Sequence, residues 1–262
     1  MDSKLLAWLR LSGWRMPVLR PYGIVHLLLL FVLTPLVVAL AWRLRKCSEK
    51  TIRWNLFGIG IALIVTEIYK QLFLTYVVEG TYCYADFPFQ LCSMPMYLCP
   101  LLLVMKDQTK KVCDTFLATF NLLGGIVALL EPSASFYPYV TMTIHSVLWH
   151  QALIFIGCLL WFSGLCRWNP PVFRKAVFLY LLFCAIAYSL NAALMKPSEG
   201  AMNLYFIGPG PAPVIVLDWV SAHWGPLPET ILMILVTILG SSILWTGFSG
   251  ISEKKKKERQ MV

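Results

Sequence analysis

Seven apolar stretches run through this chain, each near the length a bilayer demands, and the short loops between them alternate in charge. Hydrocarbon offers no water to backbone amides, so a spanning chain closes its hydrogen bonds within a helix of about 20 apolar residues or in a closed barrel. The stretches are Tyr22–Trp42, Asn55–Tyr76, Pro88–Met105, Lys111–Leu130, Tyr139–Phe162, Val172–Met195 and Leu227–Trp245. Little chain is left for a soluble domain. Only 13% of residues are charged and the mean hydropathy is +0.70, whereas a soluble domain carries about 25% charged residues. The expected fold is all-α, a polytopic membrane protein of seven transmembrane helices with a long outer loop before the last. It divides into an N-terminal interfacial segment at 1–20, a seven-helix transmembrane domain at 21–248 and a basic cytoplasmic tail at 249–262.

The net charge of +9 reports topology, not nucleic acid, because the cations cluster at helix ends. Arg43, Arg45, Lys46, Lys50 and Arg53 follow the first stretch; Lys106, Lys110 and Lys111 follow the third. Arg167, Arg174 and Lys175 follow the fifth; Lys254 to Lys257 follow the seventh. The intervening loops hold Glu79, Asp86, Glu131, Lys196, Glu199 and Asp218. Four basic loops on one side make that side cytoplasmic and put the N-terminus outside. Lys4, Arg10, Arg15 and Arg20 pull the other way. With Leu5, Leu6, Trp8, Leu9 and Trp14 among them, they read as a helix lying in the interface. A basic cluster after a long apolar run argues against a cleaved signal peptide.

Polar side chains inside a span are expensive, and here they fall in one layer, the outer half. Glu67, Lys70 and Gln71 lie late in the second stretch, while Gln90, Cys92 and Ser93 open the third. Asn121 and Glu131 belong to the fourth, Thr141, Thr143, His145 and Ser146 to the fifth, Asn191 to the sixth, and Glu229 and Thr230 to the seventh. The layer points to a chamber opening outward, against the alternative that each group serves as glue between neighbouring helices. Glu67 and Lys70 share a helix face and can pair. His145 and His150 lie about 140° apart around their helix, so they form no metal clamp. Haem held by His26 and His145 has no attachment motif behind it. The last stretch holds no lysine for a retinal Schiff base, and no phosphate-binding glycine loop appears. The expectation is no metal and no cofactor, with membrane lipids as partners and the oligomeric state left open.

Of eight cysteines, Cys83 and Cys92 fall near the outer surface, where they could pair; membrane cysteines otherwise act as small hydrophobes. The outer segment 196–228, rich in Pro, Gly and aromatics, reads as a re-entrant or lid-like cover.

Several stretches resemble the bacterial YwaF-like integral membrane proteins: FPFQLCSMPMYL at 87–98, FNLLGGIVALLEP at 120–132, His145 early in its span, and AMNLYFIGPGP at 201–211. The likeness covers roughly the third to seventh stretches and implies a bacterial cell membrane. Those proteins look like distant relatives of eukaryotic transmembrane ether-lipid acyltransferases, which move an acyl chain between phospholipids through a cysteine thioester. The likeness thus implies Cys92 as nucleophile and His145 as base. Gln90, Asn121 and Asn191 become oxyanion or head-group donors, and Ser93, Asn203 and Glu67 join them around the substrate. One departure stands out. Aligned on the proline that opens the third stretch, the family's cysteine falls opposite Phe89, and Cys92 lies about 4.5 Å further along the helix. A migrated nucleophile and a branch without that chemistry are the two readings. A transporter or ligand-binding protein, and a non-enzymatic assembly partner, are the alternatives to an enzyme.

Overall fold

A computed structural model describes residues 3–132, 135–167, 169–208 and 215–258. Among the described residues, nine helices longer than a single turn order the chain: α1 (Ser3–Leu11), α2 (Ile24–Leu44), α3 (Glu49–Glu79), α4 (Leu91–Leu101), α5 (Asp107–Leu130), α6 (Val140–Phe162), α7 (Pro170–Leu194), α8 (Ile215–Trp224) and α9 (Pro226–Glu258). No strand occurs among the described residues. Six of these helices, α2, α3, α5, α6, α7 and α9, are long and apolar enough to cross a membrane. The protein is an all-helical polytopic membrane protein.

The third crossing differs from the expected Pro88–Met105 helix. Only Leu91–Leu101 is helical there, a rise of about 16 Å. Three prolines explain it. Pro88 holds the preceding chain extended, Pro95 sits in the first turn, where a missing N–H costs nothing, and Pro100 lies at the far end. The freed carbonyls before the helix find side chains: Gln71 Nε2 donates to the Asp86 carbonyl at 2.6 Å and Tyr97 OH to that of Pro88 at 2.6 Å.

Helices α5 and α6 form the centre, with 67% and 72% of their membrane windows buried against 11–28% for the other four. Glycine sets their approach: a Cβ on Gly157 of α6 would come within 2.8 Å of Leu122 of α5. On the far side of α5, Phe116, Phe120, Tyr180, Phe173 and Trp245 form a stacked aromatic column joining α5, α7 and α9. Short caps start the helices from the basic side. The Ser48 hydroxyl accepts the Thr51 N–H, and Asn169 Oδ1 accepts that of Val172.

The basic loops thus share one face, the basic face. The opposite face carries residues 80–90, residues 196–208, α8 and α1, and is here the loop face. Helix α1 is docked there: Leu9 is fully buried among Phe73, Leu74, Tyr139 and Met142. Residues 201–208 of the long segment enter the bundle, with Met202, Leu204, Tyr205 and Ile207 all buried. Residues 209–214, most of the GPGPAP run, lie outside the described residues.

Candidate functional site

The first turn of α4 is the point where the loop-face polar residues converge. Three consecutive residues there are each held by a different element. Gln90 Oε1 accepts the Tyr205 N–H at 2.7 Å while its Nε2 donates to the Asn203 carbonyl at 3.2 Å. The Leu91 carbonyl accepts Asn121 Nδ2 of α5 at 2.6 Å. The Cys92 carbonyl accepts the indole N–H of Trp149, on α6, at 2.9 Å.

The inserted segment explains why so many amides are needed. Tyr205 and Phe206 both have left-handed backbones, φ +57° and +53°, which cost free energy in any residue bearing a Cβ. Asn191 at the end of α7 grips the same turn, accepting the Leu204 N–H at 2.8 Å and donating to its carbonyl at 3.1 Å. Asn203 Oδ1 accepts the Gly208 N–H at 2.7 Å. A Cβ on Gly208 would come within 2.8 Å of Asn191 Nδ2. Gln90, Asn191 and Asn203 are therefore brought together, but their amides are engaged in holding the cover and do not project as free donors.

Cys92 and His145 fall in a second group, around Trp149. Cys92 is half-buried and packs beside the cluster of Leu63, Met96, Trp149 and Leu153. One turn before Trp149, the His145 ring lies 5.3 Å from the Trp149 ring, centroid to centroid. His145 Nε2 is buried and has no hydrogen-bond partner among the described residues. Glu67, 5% exposed, bonds Lys70 Nζ at 3.0 Å and Gln71 Nε2 at 2.7 Å. Asp86 lies 3.8 Å from the same ammonium. The Lys70 charge is within electrostatic reach of both Cys92 and His145. Ser93 is buried next to Cys92. Asn121 links the two groups through Leu91, and its Oδ1 is a buried acceptor without a partner.

A small void in the bundle is lined by His26, Leu29, Leu129, Phe136, Val147 and His150, not by Cys92 or His145. His26 is not available to a haem. Its Nδ1 accepts the Tyr22 N–H at 2.8 Å, so Nε2 carries the proton and donates to the Leu129 carbonyl at 2.8 Å. The eight cysteines are free thiols. Cys83 donates to Asp86 Oδ2 at 3.4 Å instead of pairing with Cys92. Burial and then the Asp86 carboxylate push the Cys83 thiol above its ordinary pKa.

Two features escape a reading of the sequence. Arg53, counted there with the loop cations, is 6% exposed and makes a bidentate pair with Asp114 of α5, its Nη2 lying 2.7 Å from Oδ2. Its Nη2 also reaches Glu49 at 3.1 Å. Trp149 is the second, the hub between Cys92 and His145. A basic residue one turn into its helix and a carboxylate eight residues into the next-but-one helix were the available signal for the pair; the i,i+4 spacing of His145 and Trp149 puts both on one helix face, but nothing in the sequence ties Trp149 to the Cys92 backbone.

Six long apolar helices, a short proline-bounded crossing and a polar layer at one face define a multi-pass integral membrane protein. The chain belongs to the TMEM164 family, whose model matches residues 21–246. No match was found among curated proteins or among solved structures.

Proposed function

We propose that this protein modifies membrane lipids, moving an acyl chain between phospholipids through a thioester on Cys92. The observation that carries the reading is the buried, unpartnered Nε2 of His145 beside the tryptophan that holds the Cys92 backbone. Buried polar atoms are almost always bonded, so an orphan on a titratable ring signals a partner that arrives with the substrate. The likeness to the YwaF-like proteins and the ether-lipid acyltransferases adds the reaction class, and it alone suggests a bacterial setting.

The steps balance without a cofactor. His145 accepts the Cys92 thiol proton, and the sulfur attacks the ester carbonyl of a donor phospholipid. The Leu91 and Cys92 N–H groups, which open the first turn of α4, and the Lys70 charge stabilise the oxyanion. The tetrahedral intermediate collapses to an acyl thioester, and the lysophospholipid leaves with the proton from His145. A second lysophospholipid hydroxyl then attacks the thioester, giving its proton to His145 and restoring the thiol. Water in place of that hydroxyl makes the same site a lipid hydrolase. On this reading the loop face lies away from the cytosol, since the four basic loops belong inside.

Purified protein in vesicles, given a phospholipid with a labelled acyl chain and an unlabelled lysophospholipid, tests the reading. Labelled product is expected, and its rate falls by about 100-fold or more in Cys92→Ala and His145→Ala. Labelled free acid alone selects the hydrolase. No labelled product of either kind, or an undiminished rate in Cys92→Ala, overturns the thioester mechanism.

A further inference from the structure

The charge pattern of the N-terminal segment conflicts with its position. Lys4, Arg10, Arg15 and Arg20 carry the cations of residues 3–20, and no carboxylate occurs among them. By the rule that places cations on the cytoplasmic side, this segment belongs with the four basic loops. The fold puts it on the opposite face and holds it there firmly. Leu9 is wholly buried against the end of α3 and the start of α6. Ser12 Oγ shares a hydrogen bond with Tyr69 OH at 2.7 Å. Thr141 Oγ1 donates to the Ser12 carbonyl, the Val140 N–H to that of Trp14, and the Met16 N–H to that of Pro138.

The side chains left outward are of two kinds. Arg10 and Arg20 are exposed, and Trp8, Leu11, Trp14 and Val18 are 54–73% exposed. Cations beside exposed tryptophans, at the level where spanning helices end, match the boundary between acyl chains and head groups. The opposite choice, water on all sides, would leave four large apolar side chains exposed on a short segment. The segment also overlooks the candidate site: Thr141, which bonds Ser12, lies one helical turn from His145.

We infer that residues 3–20 form a cationic collar that binds the head groups of anionic phospholipids at the loop face, next to the turn that carries His145. The inference deepens the proposed lipid chemistry by naming the head-group class, and its test reads binding and not turnover, so the two fail separately.

The test uses the full chain in neutral detergent micelles seeded with equal phosphatidylglycerol and phosphatidylcholine, with native mass spectrometry counting the lipid retained. The expected result is preferential retention of phosphatidylglycerol, weakened by salt. In Arg10→Gln/Arg20→Gln the preference falls by roughly fivefold for each arginine removed, with the thermal unfolding midpoint unchanged. Arg10→Lys/Arg20→Lys, which keeps the charge, retains it and stands in should the glutamine variant not fold. Lys106→Gln/Lys111→Gln, on the basic face, also retains it. Equal retention of both lipids by the wild type overturns the inference. So does a preference that survives Arg10→Gln/Arg20→Gln, or one lost in Lys106→Gln/Lys111→Gln.

Discussion

The two faces of this bundle treat buried polarity differently. Near the basic face, Arg53 and Asp114 are buried together in a bidentate pair, with Glu49 accepting from Nε and Nη2 of the same guanidinium. Toward the loop face, burial is as deep but valences stay open: His145 Nε2, Asn121 Oδ1, Tyr205 OH and Glu229 Oε1 lack partners among the described residues, as do Gln151 Oε1 and Ser241 Oγ deeper in the bundle. A closed pair fixes how α3 meets α5. An open layer is the arrangement expected where something else must bind. On the proposed function, the contrast sets structural polarity apart from polarity kept open for a substrate, and it can be broken by substitution.

The largest effect belongs to the closed pair. Arg53→Met strands the Asp114 carboxylate and is expected to cost about 3–5 kcal/mol, while Arg53→Met/Asp114→Leu recovers most of that loss. Chemical unfolding in detergent measures both; a single variant as stable as wild type would mean the pair fixes nothing. Next comes Asn191→Leu, which leaves the Leu204 N–H and carbonyl unbonded and strains the left-handed turn further. A loss of about 2–4 kcal/mol is expected, with faster proteolysis within 201–208. Smaller again on stability, but largest on function, are Cys92→Ser and His145→Gln. Each is expected to shift stability by under about 1 kcal/mol while acyl transfer is lost; a large loss of stability would move His145 to the closed class.

The mildest expectation concerns Cys83. Its raised pKa keeps the thiol protonated near neutrality, so alkylation is slow and keeps climbing with pH past the range where an ordinary thiol has levelled off. Asp86→Asn removes the neighbouring negative charge, lowers that pKa and speeds labelling near neutrality. Unchanged labelling kinetics would show that burial alone sets the Cys83 reactivity.

Hydropathy made the crossings legible, because bilayer thickness and backbone desolvation leave helices few choices: the expected Tyr139–Phe162 stretch is α6 at Val140–Phe162 almost to the residue. Pro88, Pro95 and Pro100 announced the short α4 to anyone weighing helix chemistry against hydropathy, and hydropathy alone overran it. The polar layer was legible as depth along each helix. Its partition was not, because Gln90 meets Tyr205 across 115 positions and Asn191 grips a turn that no glycine at 205 or 206 foretells. Depth says that two groups share a level; it does not say which of them already bond each other. Arg53 was misplaced for the same reason. A cation one turn into a helix looks like a loop cation until its carboxylate is seen.

The open layer stands or falls on one adduct. Wild-type protein incubated with a labelled phospholipid, quenched in acid and digested, is expected to yield a single hydroxylamine-sensitive acyl group on the peptide containing Cys92. It should be absent from Cys92→Ser and scarce in His145→Gln. An acyl group found on another cysteine, or none on a wild-type sample that still turns over lipid, would contradict the account.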